Sequence, residues 1–174
     1  MTTQDYYNLP PDENGWRMLP NGDKFKLGLD CIIGNYAYIG NNAYIANNVT
    51  IGKDAYIGND VEIGNNVKIG NGAKIGDAAY IRNKVTIGNY VEIGYGVKIG
   101  NNAYIGNCNV IGNCTVIGDG VTIGYRATIR YKSIIGNGAI IGDGAIIGDG
   151  AYIGNDVEIG DYAIIGHGAS IKGA

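Results

Sequence analysis

From Ile33 to Ile171 every sixth residue is isoleucine, 24 in one unbroken register, with Leu27 in phase before them. Two residues ahead of each isoleucine stands a small residue, Ala in 12 of the 24 repeats and Val in 8, and the position between the two is unrestricted. Small-in, variable-out, Ile-in is the two-residue alternation of a half-buried strand. The residue after the isoleucine is Gly in 21 of the 25 hexads that begin at Leu27. The next two are mostly Asn, Asp or Gly, residues that accept the positive φ of a tight corner. A short strand followed by a corner, repeated every six residues, predicts an all-β parallel β-helix.

Residues 1–26 lie outside this register and read as an N-terminal cap and hairpin, with residues 27–174 forming the hexapeptide-repeat β-helix. Trp16-Arg-Met-Leu, a turn at Asn21-Gly22 and Lys24-Phe-Lys-Leu27 predict the hairpin. Trp16, Met18, Leu19 and Phe25 are expected to close the open end of the core, as terminal repeats require. At the other end only Ser170 and Lys172 soften the last strand edge.

Composition narrows the setting. The 31 glycines recur every sixth residue and not every third, which excludes collagen, and 3 prolines argue against a disordered linker. A formal charge of −3 offers no basic footprint for nucleic acid and no polybasic membrane tether. No apolar run reaches the roughly 20 residues of a membrane span, and the first residues do not read as a secretory leader. A cytoplasmic protein is expected, with Cys31, Cys108 and Cys114 as reduced thiols.

Repeats such as Ile63-Gly-Asn-Asn-Val-Lys-Ile69-Gly and Ile153-Gly-Asn-Asp-Val-Glu-Ile159-Gly resemble those of the bacterial hexapeptide-repeat acyltransferase superfamily, over about residues 27 to 172. The resemblance implies a left-handed β-helix of triangular section with three hexads per coil, about eight coils in all. It also implies a homotrimer with acyl-transfer sites between subunits. Residues 18 apart then stack in columns. Side A presents mainly polar residues outward (Ile32, Thr50, Lys68, Thr86, Tyr104, Thr122, Ile140, Glu158). Side B carries Tyr38, Tyr56, Val110, Ile146 and Ile164, and side C carries Tyr44, Tyr80, Val116, Ile134 and Tyr152. Stacked apolar columns suggest an interface. The expected contact residues are Tyr38, Tyr56, Tyr95, Val110, Val116, Tyr131, Ile134, Ile146 and Ile164.

The corners differ too. The C/A corner is Asn, Asp, Gly and Lys (Asn47, Asn65, Asn101). The B/C corner stacks Tyr95, Asn113, Tyr131, Asp149 and His167, with Cys114, Arg130 and Lys132 beside them, and the A/B corner holds Tyr36, Tyr90, Cys108, Tyr125, Arg126 and Tyr162. His167 is the only histidine, and the resemblance implies a histidine as general base; Asp149, one coil beneath, could orient its ring. One histidine per chain argues against a metal site built from three. Cys108 and Cys114 lie on successive corners, too far apart for a disulfide. Asn109, Thr115 and Ser133 face inward and read as an internal hydrogen-bond patch. The threonines of side A are too interrupted for an ice-binding array, and Gly94-Tyr-Gly96 and Gly142-Asp-Gly144 are not phosphate loops, since no helix follows.

With no loop insertion to wall a donor pocket, the repeats favour a non-catalytic structural or binding solenoid that self-assembles as a homotrimer, without cofactor or metal and with its small-molecule ligand unspecified. The alternative is an acyl-coenzyme A dependent O- or N-acyltransferase with His167 as base, Asp149 beside it and acetyl-coenzyme A as donor.

Overall fold

The computed structural model describes residues 3–173, Thr3 without its side chain. Met1, Thr2 and Ala174, the outermost residues of the two segments read from the sequence, lie outside the described residues.

The hexads wind into a left-handed parallel β-helix with three flat sides. Side A is an eight-stranded sheet from Ile32–Ile33 to Glu158–Ile159, and side B an eight-stranded sheet from Tyr38–Ile39 to Ile164–Ile165. Side C has ten strands: the repeat strands from Ala43–Ile45 to Ser170–Ile171, preceded by the hairpin strands β1 (Trp16–Met18) and β2 (Lys24–Leu27). Each strand pairs in parallel with the one 18 residues later, so isoleucine stacks on isoleucine, as in Ile63, Ile81 and Ile99. The every-sixth isoleucines from Ile33 to Ile159 are all buried. Ile165 and Ile171 are half-buried, since no described coil packs above them.

Each corner divides its work among three residues. Directly after the isoleucine, the chain passes so close to the next coil that a side chain has little room: a Cβ on Gly52 would stand 2.4 Å from the Gly70 carbonyl carbon. The second residue, usually Asn or Asp, accepts through Oδ1 the backbone N–H of its counterpart one coil earlier, at 2.6–3.2 Å; Asn71 to Asn89 and Asn89 to Asn107 are examples. These bonds form side-chain ladders up the corners. The third residue is left-handed at every corner from Asp30 to Gly168, with φ from +55° to +67°. The sequence treats both Asn/Asp positions as turn formers, but only the third bends backward. At the second, the side chain is selected as an acceptor.

Inward polar residues complete the accounting. Asn109 donates to the corner carbonyls of Gly106 and Gly124, at 2.9 and 2.7 Å, and accepts the N–H of Ala127. Thr115 and Ser133 both donate to the Arg130 carbonyl, at 3.0 and 2.9 Å, and Ser133 also reaches Gly148. Cys31 does likewise through its thiol, to the Ala46 carbonyl. Burial raises the Cys31 pKa, which keeps it a thiol. All three cysteines are free.

At the N-terminal end, β1 and β2 form an antiparallel hairpin, and β2 begins the first coil by pairing with Ala43–Ile45. Phe25 and Leu19 are buried in the core. The other two expected plugs are not: Met18 is 64% exposed, and Trp16 lies half-buried on the outside, with the Lys24 and Lys26 ammonium groups over its ring. Their place is taken by Tyr6, from helix α1 (Thr3–Asn8), which meets Phe25 edge-on at 5.5 Å and donates its hydroxyl to the Ala37 carbonyl. Strand alternation explains the exchange: Phe25 and Leu27 point inward, while Trp16 and Met18, paired with Lys26 and Lys24, share the outer face of those lysines. Among the described residues no helix is long and apolar enough to cross a membrane.

Candidate functional site

The C/A corner carries an acceptor ladder without interruption from Asn47 to Asn155. The other two corners break theirs. At A/B, Lys53 and Tyr125 occupy ladder positions; at B/C, Tyr95, Tyr131 and His167 do. Places where a local rule is given up without return to stability are where function is sought. The B/C corner has the most of them.

There Asp149 joins two neighbours. Its Oδ1 accepts the Tyr131 N–H from below at 3.0 Å, as any ladder residue would, and its Oδ2 lies 3.2 Å from Nδ1 of His167 above. The ladder bond holds one carboxylate oxygen, and the other faces the imidazole at Nδ1. The His167 side chain is 66% exposed. One coil below Asp149, Lys132 sits over the Tyr131 ring at 4.9 Å, and two coils below it Cys114 is exposed. The Tyr131 hydroxyl, by hydrogen bonding, raises the Lys132 pKa above its ordinary value.

The residues expected at an interface fall into two groups. Val110, Val116, Ile134 and Ile164 stand exposed on sides B and C, and Ile146 is half-buried among its neighbours. Tyr95 and Tyr131 project from the B/C corner. Tyr38 and Tyr56 instead stack on each other, ring centroids 5.0 Å apart, and the Tyr38 hydroxyl reaches Asp23. Burial, followed by Asp23, raises the Tyr38 pKa. Side B also holds an open hollow of about 390 Å³ between Tyr56, Lys74, Glu92 and Val110. At the A/B corner, the rings of Tyr90 and Tyr162 lie on Gly72 and Gly144 of the coil below. This pairing of Tyr with Gly 18 residues earlier is legible in the sequence once three hexads per coil are assumed.

The GMPPB C-terminal domain family model matches residues 72–171, and the bacterial transferase hexapeptide model (six repeats) matches residues 30–65 and 42–77. No curated protein matches the sequence. Among solved structures, UDP-N-acetylglucosamine acyltransferase from Campylobacter jejuni is 25% identical, with a TM-score of 0.63 over 84% of this chain and 62% of its own. LpxA from Acinetobacter baumannii is 22% identical, with a TM-score of 0.58 over 82% of this chain and 71% of its own. The Francisella novicida UDP-N-acetylglucosamine acyltransferase is 19% identical, with a TM-score of 0.53 over 79% and 63%. The chain thus spans under two thirds of the first of these enzymes. The match over residues 72–171, more than half of the sequence, together with the repeat and its winding, establishes that the chain belongs to the GMPPB C-terminal domain family and to the hexapeptide-repeat, LpxA-like acyltransferase superfamily.

Proposed function

We propose that the chain is an acyl-coenzyme A dependent O- or N-acyltransferase, working as a homotrimer, with His167 as general base and Asp149 as the residue that positions it. The observation that carries this reading is the Asp149 carboxylate, held by the Tyr131 N–H on one oxygen and facing His167 Nδ1 on the other at 3.2 Å. The transferase repeat model and the Campylobacter jejuni acyltransferase support it. In the step proposed, Nε2 of neutral His167 takes the proton of an acceptor hydroxyl or amine as its oxygen or nitrogen attacks the thioester carbonyl carbon. Collapse of the tetrahedral adduct breaks the C–S bond, and the imidazolium returns the proton to the departing thiolate. Asp149 holds Nδ1–H and stabilises the charge that forms on the ring. A neighbouring subunit supplies the missing wall through the apolar columns of sides B and C.

A second reading, the non-catalytic scaffold, is favoured by one observation: among the described residues no corner from Gly28 onward grows into a loop. Thermal-shift measurements with acetyl-coenzyme A and free coenzyme A separate the two, since an enzyme must bind its donor. The enzyme reading expects saturable stabilisation and a loss of about 10² to 10⁴ in turnover for His167→Ala. Asp149→Asn keeps the Oδ1 acceptor for Tyr131, so the corner should survive while the pH–rate profile moves. Absence of donor binding and of turnover would leave the scaffold, and turnover unchanged in His167→Ala would remove His167 as the base.

A further inference from the structure

Four of the 25 hexads lack the glycine that opens each corner, and Ala46, Arg82, Arg130 and Lys172 stand in its place. The first two share one column of the C/A corner, with Gly64 between them. A Cβ is crowded at this point of the coil: one built on Gly64 would stand 2.9 Å from the Arg82 carbonyl carbon. Both exceptions border one open hollow of about 350 Å³, on side C against that corner. Its walls also include Tyr44, Glu62, Tyr80 and Asn83. The volume falls in the range of small-molecule sites, and a residue placed against the local rule at its edge calls for a use.

The charges in this hollow are unlike and unjoined. Tyr44, Glu62 and Tyr80 are the outward residues of three successive side C strands, in direct register. In the side B column two adjacent tyrosines, Tyr38 and Tyr56, stack on each other at 5.0 Å. Here Glu62 takes the middle layer, so the two tyrosines stand two coil steps, about 9.6 Å, apart. Midway between them is about 4.8 Å from either layer. Lys24 and Lys26 stand over the Trp16 ring at 4.9 and 4.8 Å, so this spacing suits a cation between aromatic side chains. Arg82 lies one coil above Glu62 and two residues along, about 8 Å away and within reach of two long side chains. They do not meet: among the described residues neither is ion-paired, and the guanidinium lies 5.9 Å from the Tyr80 ring centroid. Asn83 accepts the Asn65 N–H through Oδ1 at 2.8 Å, which leaves its Nδ2 as a further donor beside Arg82. A simple cation entering the hollow is opposed by Arg82, and a simple anion by Glu62. A ligand that carries both charges is opposed by neither.

We propose that this hollow binds a small ammonium–carboxylate zwitterion, its ammonium group over Glu62 between Tyr44 and Tyr80 and its carboxylate on the Arg82 guanidinium. A guanidinium takes a carboxylate through two parallel N–H···O bonds, with Asn83 adding a third donor. Glu62 and the tyrosines attract the ammonium group whether it bears hydrogens or methyl groups. The site belongs to the lower coils and concerns binding alone, so it stands whether or not His167 acts as a base.

The test is titration of the full chain with glycine and with glycine betaine, by calorimetry and by ¹H–¹⁵N spectra, with choline and acetate supplying the cation and the anion alone. At least one zwitterion should bind saturably and shift the signals of Tyr44, Glu62, Tyr80 and Arg82, and choline and acetate should bind at least about tenfold more weakly. Tighter binding of betaine would assign a methylated ammonium group to the ligand, and tighter binding of glycine a primary one. Glu62→Gln, melting as the wild type does, should lose at least about tenfold in affinity. Arg82→Gly restores the residue of the other hexads and so keeps the coil, and it should lose as much. No saturable shift with either zwitterion up to about 100 mM, choline or acetate bound as tightly, or unchanged affinity in both variants would overturn the site.

Discussion

The coils from Ile33 to Ile99 and those from Ile105 to Ile171 share one interior and differ outside. In the lower coils the outward strand positions include Glu62, Lys68, Lys74, Glu92 and Lys98, and Lys74 bridges to Glu92 of the next coil at 3.0 Å. In the upper coils the same positions hold Val110, Val116, Ile134, Ile140, Ile146 and Ile164, with Glu158 the only charge. The buried polar side chains Asn109, Thr115 and Ser133 also belong to the upper half. A solenoid tolerates such asymmetry because each coil touches only its neighbours. The inner columns maintain the rod, and the outer ones are free to diverge toward whatever the upper half contacts.

Ile87→Ala and Ile141→Ala probe the shared interior, both residues being fully buried. Each should cost about 2–5 kcal/mol in chemical denaturation, with the two values alike. A marked difference would mean that the halves are not packed equally. On the outside the halves should part company. Ile146→Lys with Ile164→Lys should weaken self-association in sedimentation by about 100-fold, near 2.7 kcal/mol. Lys68→Glu in the lower half should leave it unchanged.

Smaller changes sharpen the comparison at the corners. Gly144→Ala places a Cβ 2.6 Å from the Tyr162 ring at a φ of +65°, whereas Gly120→Ala, φ +67°, meets nothing within 4 Å. Left-handed strain alone should cost the second about 1 kcal/mol, and ring displacement should roughly double that in the first. Thermal melts of the pair measure the difference. Asn89→Ala removes one lower-coil ladder bond, to the Asn71 N–H at 2.7 Å, and should cost about 1 kcal/mol, detected as faster amide exchange at Asn71.

The winding, the Ile columns and the corner stacking are legible in the period of six, because a one-residue slip anywhere would turn an isoleucine outward. The same period places Asp149 under His167. It does not separate the two Asn/Asp positions of the corner, since turn-forming and acceptor roles draw on the same residues. Tyr6 carries no signal as a core plug because it sits in a short polar helix, Thr-Gln-Asp-Tyr-Tyr-Asn, with no apolar period of its own.

Hydrogen–deuterium exchange of the full chain with and without saturating acetyl-coenzyme A tests most directly whether function resides on the upper coils. The account predicts protection around Tyr131, Ile146, Asp149, Ile164 and His167, with residues 53–98 unchanged. Protection confined to the lower coils, or none at any donor concentration, would contradict it.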